Sequence, residues 1–203
     1  APRLRKGRWD FIKGNLSAWI RPRSVYLPPR SLWYPVPGGW YTPDGNRRQS
    51  FTTARLVVDL PAELEAVTQG QRLEPTPAAL APAAKGRSRT VWQVDHPVPQ
   101  LSLNAGQYGR WAARVGGLDC ALYVHPAHRR RLEFFADAQA PVIKALDQLL
   151  DAVEREVGLP YPYPSLSVVE VPFVVQWYYE GWRESGGLVQ PGILMLEEDV
   201  LMG

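Results

Sequence analysis

A single cysteine, Cys120, stands in a chain of 203 residues. An intramolecular disulfide needs two thiols and a multi-cysteine zinc or iron–sulfur site needs more, so both are excluded, and a buried, inert thiol is the expected role. Long apolar runs are missing as well. None approaches the ~18–20 residues that cross a bilayer as a helix, and the first residues lack the apolar core of a secretory signal. The chain reads as a soluble segment whose compartment is not legible. No repeat period recurs. There is no His-Glu-x-x-His, no Gly-x-Ser-x-Gly, no phosphate-binding P-loop and no Gly-x-Gly-x-x-Gly, so neither a catalytic residue nor a metal ligand is assigned within the chain.

What is present is the makings of a core. Hydrophobic residues are 45% of the chain and charged residues 21%, a balance that excludes disorder, and the length suits one large domain or two small ones. The net charge of +3 conceals a gradient: net +8 over residues 1–50, +4 over 51–131 and −9 over 132–203. In the basic opening, Trp9, Phe11, Trp19, Tyr26 and Trp33 alternate with cations. That mixture suits a nucleic acid or an anionic membrane surface, where cations meet phosphates and rings meet bases or the bilayer interface. Scattered arginines that merely solvate a β surface explain it more simply.

From Trp33 to about Val124 short β-rich runs alternate with Gly, Pro and Asn/Asp turns. In 51–60 the alternation puts Thr52, Ala54, Leu56, Val58 and Leu60 on an inward, apolar face. Strands are expected at Thr90–Val94, Leu101–Tyr108 and Leu118–Val124, turns at Pro37-Gly-Gly and Pro43-Asp-Gly, and an extended loop from Pro75 to Arg89. After Pro126 the period changes. Apolar residues at 142, 143, 146, 149, 150, 153 and 157 predict a helix over about 141–157 that buries one face, with Gly158 as its left-handed C′ residue and Pro160 preventing continuation. The extended Tyr161-Pro-Tyr-Pro then leads to a strand at about 166–171, leaving for a new sheet. The expected organisation is α+β: a β-rich unit of antiparallel sandwich or open-sheet type over 1–125, and a helix-plus-strands unit over 126–203.

Two groups of residues invite chemistry. His125-Pro-Ala-His128 has a spacing that could supply two metal ligands, but no acid and no third ligand lies nearby in sequence, and a solvated helix start accounts for it better. The run Gln176-Trp-Tyr-Tyr-Glu-Gly-Trp-Arg-Glu-Ser-Gly-Gly-Leu-Val-Gln190 sets Glu180 and Glu184 among four aromatic residues and three glycines. That composition suits a cleft wall recognising a cation, and equally a surface loop of packed aromatics.

The order Tyr161-Pro-Tyr-Pro-Ser-Leu-Ser-Val-Val-Glu-Val-Pro172, an aromatic run, and Gly181-Trp-Arg-Glu-Ser-Gly-Gly-Leu-Val189 resembles the M1 family of zinc aminopeptidases. There a Tyr-Pro-x-x-Lys-Leu-Asp strand leads into a Gly-x-Met-Glu-Asn exopeptidase motif followed by x-Gly-Leu. Gly181 matches the motif Gly, Glu184 its Glu, and Gly187-Leu188 the trailing Gly-Leu. Arg183 stands for the motif Met and Ser185 for its Asn. Upstream, Ser31-Leu-Trp-Tyr-Pro-Val and Gln100–Tyr108 resemble further elements of the family's N-terminal domain, although its Cys-x-Asp-Glu-Pro turn is absent.

The resemblance implies the later part of a β domain followed by the opening of a thermolysin-like catalytic domain, with the motif-like segment at 181–188. It implies that the chain stops before the zinc motif, so that the zinc of the full-length parent has its ligands elsewhere and this chain alone hydrolyses nothing. It assigns Glu184 to the free α-amine of a peptide substrate, with Gly181, Gly186 and Gly187 bringing backbone close to it. The partners implied are a peptide with a free N-terminus and the remainder of the catalytic domain. Similar domains are attached to bacterial membrane transporters, so the resemblance allows a membrane-tethered, extracytoplasmic parent. A binding module that kept the fold and lost the chemistry is the alternative.

Overall fold

The computed structural model describes residues 18–31, 33–35, 51–73, 83–130, 133, 137–171, 175–178, 181–184 and 187–197. The turns expected at 37–39 and 43–45, most of the 75–89 loop, most of the basic opening, and Glu180, Ser185 and Gly186 lie outside the described residues. The chain runs through β1 (Trp19–Arg21), β2 (Ser24–Leu27), β3 (Thr52–Pro61), β4 (Glu65–Thr68), β5 (Gln71–Arg72), β6 (Arg87–Val98) and β7 (Leu103–Gly106). It continues through β8 (Gly109–Val115), β9 (Leu118–Val124), helix α1 (Gln139–Val157), β10 (Ser165–Val171), β11 (Val175–Tyr178), β12 (Gly181–Glu184), β13 (Gly187–Gln190) and β14 (Ile193–Glu197). The structure is thus α+β, with mostly antiparallel strands and one long helix among the described residues.

The strands form sheets ordered β1-β2-β7-β4, β3-β6-β5 and β13-β14-β10-β9-β8, together with a β11-β12 hairpin. The β3–β6 pairing runs from Thr52↔Val98 to Pro61↔Arg87 with an irregularity between Thr52 and Ala54. On β3 the even-numbered residues are covered and Thr53, Arg55 and Val57 exposed, as the alternation requires. Near one end of this ribbon Asp59 faces two guanidiniums. Hydrogen bonds from Arg87, then Arg89, hold its carboxyl below the usual value, and Arg89 Nη2 donates to Oδ2 at 2.8 Å. Gly116 and Gly117, both at positive φ (53° and 85°), make the two-residue hairpin between β8 and β9, a turn that glycine enters without strain at either position.

The five-stranded sheet is covered on both faces. One face packs in the main core, where Tyr26, Val58, Val67, Trp92, Tyr123, Val169, Ile193 and Met195 gather from all three sheets. The other face carries Val115, Leu118 and Cys120 against Ile143, Leu146 and Leu150 of α1. Strand β10 does not leave for a new sheet. It pairs in parallel with β9, Ser165 opposite Asp119 and Val169 opposite Tyr123, and on its other side in parallel with β14. A parallel neighbour requires a long crossover, which α1 supplies. Residues 125 and 126, where the period changes, therefore lie between two strands of one sheet.

Helix α1 ends as its sequence predicts: Gly158 takes φ 73° and its N–H bonds to Glu154 O. Its apolar face is wider than its cover. Ile143, Leu146 and Leu150 are packed, whereas Leu149, Val153 and Val157 are 59%, 50% and 62% exposed. The expectation that all the periodic residues are buried is corrected accordingly. A face about 100° wide needs neighbours along both of its margins, and β8 and β9 cover only one. No helix among the described residues is long and apolar enough to cross a membrane.

The Trp-Tyr pair of the first third acts as a clasp. Trp33 Nε1 donates to Leu101 O at 3.2 Å, and Leu101 N–H donates to Tyr34 Oη at 2.9 Å. Cys120 is buried beneath α1, and burial, helped by the nearby Asp119 charge, pushes its thiol above the ordinary value. Because the thiolate is the reactive form, Ellman's reagent at neutral pH is expected to modify Cys120 only after denaturant opens the helix–sheet contact. Stoichiometric reaction within seconds in native buffer contradicts this burial.

Candidate functional site

The segment that the M1 resemblance singles out is built as a hairpin leading into a sheet edge. In the β11–β12 ribbon Tyr178 lies opposite Gly181, Trp177 opposite Trp182, Gln176 opposite Arg183 and Val175 opposite Glu184. A ribbon alternates its residues, so positions 182 and 184 share one face and 181 and 183 the other. Trp177, Tyr178 and Trp182 therefore lie in strands, in keeping with the β preference of Trp and Tyr, while Tyr179 lies outside the described residues. Glu184 is the last residue of β12. Three positions later β13 begins as the outer strand of the five-stranded sheet, antiparallel to β14 with Gly187 opposite Leu196 and Gln190 opposite Ile193.

Gly187 has a packing reason to be glycine. A Cβ there would sit 2.7 Å from Met195 O and 3.0 Å from the Leu196 side chain, so β13 lies against β14 more closely than any side chain allows. Gly181 occupies the first position of β12. The four positions drawn from the resemblance thus fall on the final arm of the hairpin, on the sheet edge and, for Gly186, outside the described residues.

A second charged constellation escapes sequence reasoning. Glu170, on β10, is 2% exposed. One carboxylate oxygen accepts the His125 backbone N–H at 2.6 Å, and the other pairs with His128 Nδ1. His128 is correspondingly half-buried and in this departs from a solvated helix start, whereas His125, Ala127, Arg129 and Arg130 are exposed as expected, the His125 Nδ1 accepting the Ala127 N–H across the short 3-10 turn Pro126–His128. Tyr108 lies close enough that burial first, and the Glu170 charge second, push its phenol far above its ordinary range. The signal for Glu170 was a lone acid inside an apolar strand; its partners, 45 and 42 positions away, are not visible locally.

Three His, Cys, Asp or Glu side chains in metal-binding proximity do not occur among the described residues. The zinc of the resemblance accordingly has no ligand set among them, and no chemical step is derived through it. No protein-family model matches the chain, and no curated protein matches it.

Proposed function

We propose that this chain supplies the amine-recognition part of an M1-like aminopeptidase protein: an extended peptide lies along the outer strand β13, and Glu184 receives its free N-terminal ammonium group. The observation that carries this reading is the continuity of Gly181–Glu184 with Gly187–Gln190, which sets a carboxylate-bearing residue immediately before a sheet edge. A sheet edge binds an extended peptide through main-chain hydrogen bonds without regard to sequence, so a carboxylate at its start counts residues from the peptide's end. The β9–α1–β10 crossover leading into the segment, and the similarity of 161–189 to the family's strand and motif, support it further. The zinc and the hydrolytic step belong, in this reading, to residues other than those described.

The test is calorimetric titration with a short peptide carrying a free N-terminus and with its N-acetylated form. A hydrogen bond to a charged group is worth about 1.5–3 kcal/mol, so the free amine is expected to bind at least about tenfold more tightly. Glu184→Gln, nearly isosteric, is expected to abolish that preference while leaving the circular dichroism spectrum unchanged. Equal affinities of wild type and Glu184→Gln for the free peptide defeat the assignment. A binding module that lost its chemistry gives the same titration, and differs only in lacking hydrolysis when the parent protein is assayed.

A further inference from the structure

The β1–β2 hairpin forms one margin of the four-stranded sheet, with β1 as its outer strand and Pro22 and Arg23 as the turn. Ile20, Arg21, Pro22 and Arg23 are exposed in succession, and Ile20, at 76%, is the most exposed large hydrophobic side chain among the described residues. A lone exposed aliphatic residue is ordinary. This one stands on an outer strand, at a hairpin tip whose other exposed residues are two cations and a proline, which gives the tip one defined chemistry.

No acid offsets the cations. Residues 18–31 and 33–35 contain none, and among the described residues neither Arg21 nor Arg23 has an ion pair. Glu65, on the cross-strand row that runs from Arg21 through Ser24 and Gly106, is paired with Arg72. Glu170, which borders the same small void as Arg23, has its two carboxylate oxygens engaged by His125 and His128. The hairpin also holds one cation in place. The Arg21 guanidinium carbon lies 5.1 Å from the centre of the Trp19 ring, that ring packs on Tyr26 at 4.8 Å, and its indole N–H donates to Ser24 Oγ at 3.2 Å. A guanidinium stacked on a ring keeps its N–H edge free for phosphate or carboxylate oxygens. The same contacts decide between anionic partners. Recognition of bases needs an open ring to stack on, and Trp19 is already engaged by Tyr26 and Arg21. An aliphatic side chain adds nothing to a phosphate contact, but it enters the acyl boundary of a bilayer.

We infer that the β1–β2 hairpin docks on an anionic lipid surface, with Arg21 and Arg23 against the head-group oxygens and Ile20 entering the boundary between head groups and acyl chains. The net charge of +8 over residues 1–50 has the sign that such a surface attracts. Two cations and one aliphatic side chain give reversible docking rather than insertion across the bilayer. This surface is independent of Glu184, and its failure leaves the peptide reading untouched.

The experiment is co-sedimentation of the whole chain with vesicles of phosphatidylcholine alone and with vesicles containing about one-third phosphatidylserine, on which each nearby arginine strengthens binding about fivefold. Partition onto the anionic vesicles is expected to be at least about tenfold stronger than onto the neutral ones, and to lose that advantage at high salt. Replacing both cations, Arg21→Gln with Arg23→Gln, is expected to weaken it at least about tenfold, and Ile20→Ser at least about threefold, with the urea unfolding midpoint unchanged. Ile20→Cys carrying an environment-sensitive fluorophore reads depth. Cys120 is buried, so the label goes to position 20, and its emission is expected to shift to the blue on the anionic vesicles only. Equal partition onto the two vesicle types, equal partition of wild type and the double glutamine variant, or a label that keeps its aqueous emission overturns the inference. So does binding of a single-stranded oligonucleotide that depends on Arg21 and Arg23 without any vesicle binding, which assigns the hairpin to nucleic acid.

Discussion

Gly70→Ala is expected to lower folding stability by about 3 kcal/mol or more, a sum of backbone strain and a forced displacement. Gly70 joins β4 to β5 at φ +85°, which disfavours any side chain, and a Cβ there would stand 2.2 Å from Gln93 O and 2.8 Å from the same carbonyl's carbon. Those atoms belong to the backbone of β6, the central strand of its sheet, so the clash cannot be relieved by rotating a side chain. The same residue's carbonyl accepts a hydrogen bond from Ser165 Oγ at 2.9 Å, tying this turn to the five-stranded sheet. Moving it loosens two sheets together. Gly86 provides the control: its φ is +77°, yet nothing lies within 4 Å of a Cβ built there. Gly86→Ala is therefore expected to cost only the strain, about 1 kcal/mol. Urea unfolding compares the two variants through their midpoints at unchanged slope. Equal shifts contradict the close approach of Gly70 to β6.

Glu170→Ala is the second large effect, with an expected loss of about 3–5 kcal/mol, because it removes one member of a buried, hydrogen-bonded pair. The His125 N–H and the His128 ring both lose their acceptor, and the turn from β9 toward α1 loses the group that holds it to β10. Glu170→Gln keeps one carbonyl oxygen for the His125 N–H and turns an amide toward His128, so it is expected to fall between wild type and alanine. Thermal and urea unfolding of the three proteins check the order. An alanine variant within about 1 kcal/mol of wild type shows that the pair is peripheral to stability.

Both predictions rest on contacts that no window of sequence contains. Gly70 and Gln93 are separated by the whole β5–β6 connection, and Glu170 meets histidines more than forty positions earlier. The arrangement around Glu184 was legible only as an order of residue types. That order identified a glycine-rich, carboxylate-bearing segment after a strand, but not that the aromatic residues before it pair with it as a hairpin. A cleft of about 750 Å³ between the end of the β3-β6-β5 sheet and the five-stranded sheet was not legible at all, since its walls come from five strands between residues 70 and 167.

Local chemistry sufficed wherever a residue's conformation depends on its near neighbours. The 3.6-residue period of α1, its left-handed Gly158, the two-residue alternation of β3 and the buried thiol of Cys120 could all be read from composition and spacing. Tertiary structure alone decided which half of the helix stripe is covered, that β10 joins β9 in parallel, and which charges are buried together. Periodicity reports how many faces an element has. Which neighbour covers each face depends on contacts between residues far apart in the chain, where the free energy comes from packing and from matching buried polar groups, and neither is a property of a local segment.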